Sequence, residues 1–400
     1  MGIITALLVL SFLIFFHELG HFAAARFFKV HVEVFSIGFG KRILTRKWGA
    51  TEFSLALIPL GGYVRMKGQD DLDPSKHNND TDSYNSKRPW QRITILLAGP
   101  FANFLLAFIF FYFIALAGQP ALGTKIYKTL DNSPAFRAGL KTGDIIKQVN
   151  GIDVMTHRKM SKLIRESTTA LELIIQRDNT IKKITLMPKM TESQNIFKEK
   201  VQHKMIGISL DPAFRVTVDY NLFSALGEAW YQTQKGATFI FESVSKLVTG
   251  AIPAKELGGV IAIVDITAKA ANESLMYVLF ITAFISINLG VMNLLPIPAL
   301  DGGHIMFNLY EVITKRVPAE NVMINITIFG WMILLSLMAL GIYNDITRIM
   351  LPCPLLINTT LMKSLRRSNF HGFKSMPTIL LKLLLSVNIA LLKRLNPYLM

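Results

Sequence analysis

The residues best equipped for chemistry in this 400-residue chain come early, as His17-Glu18-Leu19-Gly20-His21. On a helix, positions i and i+4 share a face, so the two imidazoles stand at a separation that one divalent cation can bridge. Glu18 follows the first histidine and can reach a water held by that cation. Zn²⁺ lowers the pKa of such a water from ~15.7 to about 7, and a carboxylate can then take its proton as hydroxide attacks a carbonyl. The implied chemistry is metal-assisted hydrolysis. The setting strengthens the motif, because it lies in an apolar run where a central carboxylate costs at least ~2.5 kcal/mol. Residues kept at that cost usually serve function.

A catalytic zinc takes three protein ligands and leaves one position open. The single cysteine, Cys353, excludes a disulfide within the chain and any Cys-rich zinc knuckle, so the third ligand must be His, Asp or Glu. The best candidate is Asp301, far along the chain in Asn293-Leu294-Leu295-Pro296-Ile297-Pro298-Ala299-Leu300-Asp301-Gly302-Gly303-His304. The prolines end the preceding apolar helix, since they lack the amide hydrogen that would continue it. Gly302 and Gly303 read as flexible backbone just after the aspartate. Asp301 competes with a second role, as an N-cap for the next helix. His304 is the rival ligand, ranked second. Asn293 could donate a hydrogen bond to an oxyanion formed during attack, and bonding between helices explains it equally well.

These side chains need membrane helices to position them. The chain is 51% hydrophobic with a mean hydropathy of +0.38, too apolar for an ordinary soluble domain. Four stretches approach the ~20 apolar residues needed to cross a bilayer: Met1 to about Arg26, Ile93 to Ala117, Leu275 to Leu295 and Val322 to Ile342. A weaker fifth, Ile379 to Leu392, is interrupted by Lys382. The first is an uncleaved span rather than a signal peptide, because no Lys or Arg precedes His17 and the run is followed by His-Glu-Leu-Gly-His. The formal charge of +16 does not indicate nucleic-acid binding. Basic residues cluster beside spans, as the positive-inside rule requires. Arg26, Lys29, Lys41, Arg42, Arg46, Lys47, Arg65 and Lys67 place the segment after the first span on the cytoplasmic side, with the N-terminus outside; Lys315 and Arg316 agree.

Between the spans, residues 32–40 and 51–64 carry β-branched and aromatic residues punctuated by glycine, which predicts short strands in hairpins. Residues 69–92 read as a polar loop. The second span opens with Ala98, Gly99, Pro100 and Asn103, small or polar residues suited to close helix packing. Residues 118–190 alternate turn signals with apolar runs and predict a compact α+β domain. Residues 191–274 read as a linker plus an amphipathic helix over 221–249. Residues 299–321 read as the Asp301 motif and a cytoplasmic loop. From 344 to 400 runs a basic tail, in which residues 349–400 carry Lys363, Arg366, Arg367, Lys374, Lys382, Lys393 and Arg394 and no acidic residue.

With these motifs in hand, the chain resembles the site-2 protease family, in the bacterial branch typified by the regulator of sigma-E protease. The resemblance covers residues 1 to about 348. It rests on HELGH (17–21), FSIGFGK (35–41), ALIPLGGYVRM (56–66), KRPWQR with AGPFANF (87–104), SPAFRAGLKTGDIIKQVNG (133–151) and INLGVMNLLPIPALDGGH (287–304). It implies a polytopic α-helical membrane protein of four spans, with a membrane-associated β-hairpin region at 29–92 and one PDZ domain on the outer side. It implies that His17, His21 and Asp301 bind zinc and that Glu18 is the catalytic base. The family cuts single-pass membrane proteins, anti-sigma factors or remnant signal peptides among them, in the bacterial inner membrane. Two readings from other classes compete. A non-catalytic adaptor would use the PDZ domain to hold protein termini, yet has no need of His17, Glu18 and His21 together. A zinc transporter would line several spans with polar residues, and Phe104 to Ala117 offers only Tyr112.

Overall fold

The computed structural model describes residues 2–69, 80–195, 197 and 199–350. The basic tail, the fifth apolar stretch, Cys353 and most of the predicted polar loop lie outside the described residues. The chain divides into two compact units, which among these residues are 2–112 with 227–350, and 113–226.

In the first unit, the long apolar runs form helices because a helix satisfies nearly all of their backbone polar groups within the segment. Helix α1 spans Gly2–Phe27, and β1 (Val32–Trp48) and β2 (Thr51–Met66) follow. Helix α2 spans Pro89–Leu116 and contains Pro100, whose missing N–H leaves a carbonyl in the preceding turn without its helical donor. Helices α1 and α2 are long and apolar enough to cross a membrane.

The strands correct the sequence reading in one respect. In place of short hairpins, β1 and β2 make one long antiparallel ladder that extends through Arg42 to Trp48. Its register doubles back. Val34, Phe35, Ser36 and Ile37 each face two partners, Glu52, Phe53, Ser54 and Leu55 on one side and Arg65, Val64, Tyr63 and Gly62 on the other. Phe35 packs edge-on against Phe15 and Phe22 of α1, with ring centroids 5.8 and 5.6 Å away. The ladder is thereby fixed beside the Glu18 turn.

The second unit is built from short strands and two helices. These are β3 (Gln119–Leu122), β4 (Ile126–Thr129), α3 (Pro134–Arg137), β5 (Ile145–Val149), β6 (Ile152–Asp153), α4 (His157–Glu166), β7 (Leu171–Arg177) and β8 (Thr180–Leu186). Strands β6-β5-β7-β8 form one sheet. Its inner face buries Ile146, Leu171, Leu173 and Ile175 against Met160 and Ile164 of α4, the alternation expected of a sheet covered on one side. Ser133 caps α3 by accepting from the Phe136 amide. Where the sequence suggested a linker, four further strands occur: β9 (Lys189–Gln194), β10 (Lys200–Met205), β11 (Ile208–Leu210) and β12 (Arg215–Val218). β11 pairs with β4 and β12 with β3, so the second unit closes only after residue 210. Asp144, almost fully buried, binds Arg177 through Nε at 2.7 Å and Nη2 at 2.8 Å.

The remaining helices are α5 (Leu222–Val248), α6 (Val260–Glu273), α7 (Leu275–Asn293), α8 (Asp301–Thr314) and α9 (Glu320–Met350). Helices α7 and α9 complete the four that are long and apolar enough to cross a membrane. Helix α5 matches the amphipathic segment expected over 221–249, while α6 was not foreseen. Its N-terminus is capped from α9, where Asp345 accepts from the amides of Gly259 and Ala262 at 2.8 and 3.0 Å. Helix α9 runs eight residues beyond the expected end at Ile342, because those last turns hold that cap. Helix α8 replaces most of the loop expected over 299–321. Arg92 of α2 ties it down, donating through Nη2 to Glu311 Oε2 at 2.7 Å.

Candidate metal centre

Three helices of the first unit converge on one point, with α2 packed behind them. α1 delivers His17 and His21 one turn apart, α7 ends at Asn293, and α8 begins at Asp301. The turn between α7 and α8 is held by Ile297, buried with Met292, Val244 and Leu337. Gly302 and Gly303 sit inside α8 and serve close packing rather than flexibility. A Cβ on either would stand 2.2 Å from the Leu295 carbonyl oxygen or 2.3 Å from that of Ile297. Asp301 occupies the first turn of α8, and Leu300 takes the cap position with no side-chain cap bond. The Asp301 carboxylate points instead at the two histidines.

Its Oδ2 lies 3.3 Å from His17 Nε2 and 3.4 Å from His21 Nε2, and the two Nε2 atoms are 3.2 Å apart. Four-coordinate zinc, with bonds of roughly 2.0–2.2 Å, spaces neighbouring ligand atoms about 3.3–3.5 Å apart. The triangle therefore has the dimensions of one face of a zinc tetrahedron. The polar chemistry agrees. His21 Nδ1 lies 2.9 Å from the Ile95 carbonyl, which accepts only, so Nδ1 carries the proton and Nε2 keeps its lone pair. That lone pair faces a second imidazole nitrogen and a carboxylate oxygen. Asp301 Oδ2 is buried with no hydrogen-bond donor. A lone pair and a carboxylate oxygen turned on one another, with His17 Nε2 beside them, are a donor set that a cation satisfies. His17, His21 and Asp301 form the one such group among the described residues. His304, the rival, lies outside it and has its ring against Phe307.

The triangle opens into a cavity of about 360 Å³. Glu18 lines it, along with Asn293 and, from β1 and β2, Phe39, Gly62 and Tyr63. The Glu18 side chain passes against Gly62, where a Cβ would stand 3.1 Å from its Cγ. Asn293 Nδ2 lies 3.1 Å from His17 Nε2. Three contributors were not singled out as site residues in the sequence: the Ile95 carbonyl, Gly99 and Asn103. Gly99 lies so close to His21 that a Cβ there would fall 2.2 Å from Nε2. Asn103, read as a packing residue, has its amide 3.1 Å from His17 Nδ1. The crowding of small and polar residues over 98–103 hinted at Gly99 and Asn103; no sequence signal marked the Ile95 carbonyl.

The model of Peptidase family M50 matches residues 5–337, nearly the whole described chain. The chain belongs to peptidase family M50. A candidate zinc metalloprotease of Campylobacter jejuni, Cj1068, is 44% identical over 346 residues, 86% of this chain and 93% of that protein. A candidate zinc metalloprotease of Helicobacter pylori is 40% identical over 354 residues, 87% of this chain and 99% of the relative. The metalloprotease MmpA of Caulobacter vibrioides is 30% identical, with 86% and 95% covered. This M50 chain is a zinc metalloprotease of the site-2 type and a membrane protein.

Proposed function

We propose that this M50 protease hydrolyses peptide bonds in or beside the membrane-spanning segments of single-pass proteins, with His17, His21 and Asp301 holding the zinc. The observation that carries the reading is the triangle of 3.2, 3.3 and 3.4 Å among their ligand atoms. Zinc bound there supplies Lewis acidity to a carbonyl and to water. Glu18, on the cavity wall, takes the proton of the attacking water and hands it to the leaving amine. The Asn293 amide, 3.1 Å from His17 Nε2, is proposed as the donor to the oxyanion. An intact helix hides its carbonyls in internal bonds, so the substrate must unwind. Gly62 to Met66 pair with β1 on one side and face the cavity, an edge to which an extended segment can add as a strand.

The second unit is proposed as a PDZ domain. A groove of about 120 Å³ lies between α4 and β10–β11, lined by Met160, Ile164, Ile206 and Ile208, the arrangement that accepts an extended peptide. The basic residues after α1 argue for a cytoplasmic β1–β2 region, an outer N-terminus and an outer PDZ domain in the bacterial inner membrane. Anti-sigma factors and remnant signal peptides fit as substrates, in regulated intramembrane proteolysis.

Co-expression with a single-pass model substrate tests the assignment. Glu18→Gln is expected to keep zinc and to cut on the order of 10²–10⁴ times more slowly. Cleavage at the wild-type rate would remove Glu18 from its role. For the adaptor alternative, Asp301→Ala decides, since an adaptor keeps its activity when zinc is lost.

A further inference from the structure

His17 and His21 are held from behind in different ways. His21 leans on a backbone carbonyl, whose acceptor character is fixed. His17 Nδ1 meets the side-chain amide of Asn103 at 3.1 Å. Asn103 is fully buried. Its backbone carbonyl accepts a 2.7 Å hydrogen bond from the Ser286 hydroxyl of α7, also buried. One residue of α2 thus joins the helix carrying His17 to the helix that ends at Asn293.

With Nδ2 turned to the ring, Asn103 would donate to Nδ1, and the ring proton would sit on Nε2, pointing at His21 and Asp301. A nitrogen in that state cannot bind a metal. The same orientation leaves Asn103 Oδ1 buried with no partner. A carboxamide is nearly symmetric in shape, and a half-turn exchanges its oxygen and nitrogen. Oδ1 then accepts from Nδ1–H, and the His17 Nε2 lone pair faces the other two ligand atoms. We propose that Asn103 is a positioning residue for zinc, accepting the Nδ1 proton of His17 through Oδ1 and so fixing both tautomer and ring plane. This rests on the ligand set proposed above. Outer partners of this kind are typically worth 10–100-fold in metal affinity.

The test is zinc affinity of the full-length protein in detergent, measured by competition with a chromophoric chelator, with the Co²⁺ absorption spectrum as a second readout. Asn103→Leu keeps the branched shape and loses every polar atom, and is expected to weaken zinc about 10–100-fold. Asn103→Asp keeps the acceptor and is expected to bind at least as tightly as wild type. A residue that merely packed α2 would not show that rescue. Wild-type affinity in Asn103→Leu, or a weakening in Asn103→Asp equal to that in Asn103→Leu, overturns the proposal. Should Asn103→Leu fail to fold, weakened binding in Asn103→Asp overturns it alone. Asp301→Ala separates the two levels. Unchanged zinc in Asp301→Ala removes the ligand set and this proposal with it, whereas lost zinc there beside an unchanged Asn103→Leu removes this proposal only.

Discussion

Gly99 has no side chain because His21 occupies the space where one would stand. An added methyl would lie 2.2 Å from His21 Nε2 and 2.5 Å from Cε1; the helix backbone cannot yield that much, so the ring must give way and leave the Ile95 carbonyl. Gly99→Ala is therefore expected to swing the imidazole away and weaken zinc at least about tenfold, read by chelator competition. The effect should exceed that of Gly227→Ala in α5, where a Cβ meets nothing within 4 Å. At this scale the sequence was partly legible. The spacing of His17, Glu18 and His21 could be interpreted without a structure, because helical periodicity alone puts the two histidines on one face. Gly99 and Asn103 could not be interpreted in that way. Their meaning comes from a neighbour on another helix.

Among elements, the β1–β2 ladder and the ion pair of the second unit make separate predictions. Gly61 of β2 lies under the ring of Phe39, where a Cβ would stand 1.7 Å from Cε2. Phe39 is half exposed and lines the cavity, so the ring can move and the fold can survive. Gly61→Ala is expected to raise KM for a peptide substrate several-fold while changing kcat little, since no reacting group shifts. Steady-state kinetics check it. In the second unit, burial raises the pKa of Asp144, but hydrogen bonds from Arg177 and the Lys141 amide outweigh it and hold the carboxyl below its ordinary value of 3.8. The folded carboxylate thus binds protons less readily than the unfolded one. The stabilisation is fully present above about pH 4 and is lost as pH falls through the folded value. Asp144→Ala is expected to destabilise this unit by about 3 kcal/mol near neutral pH, because it strands a partly buried guanidinium. The difference from wild type should shrink on acidification, followed by thermal unfolding. The sequence pointed to strands here, yet closure by β11 and β12 escaped it. Short strands carry weak periodicity, and their pairing with β3 and β4 is a long-range event.

For the whole molecule, the proposed ligands come from parts of the chain that the sequence keeps far apart. A cation held by His17, His21 and Asp301 would tie α1 to α8, and Arg92 to Glu311 ties α8 to α2. Zinc that binds only the folded state stabilises it by about 2.7 kcal/mol at a free concentration of 100 Kd. Chelation is expected to lower the melting temperature by several degrees, and added zinc to restore it. Asp301→Ala should melt near the wild-type apo temperature with or without zinc. A melting temperature indifferent to zinc in the wild type would separate the metal from the fold.

By itself, the sequence determined the four apolar helices, the two histidines flanked by a carboxylate, and the membership of the site-2 protease family. The helices and the histidine spacing follow from composition and local periodicity, which the backbone cannot escape; the family rests on the resemblance of the six motifs. It left open whether Asp301 capped a helix or faced the histidines, whether His304 competed, and what Asn103 and Gly99 were for. Only the tertiary structure decided where those side chains lie. Each question concerns a distance between residues on different helices, and such distances are set by packing that no local pattern encodes.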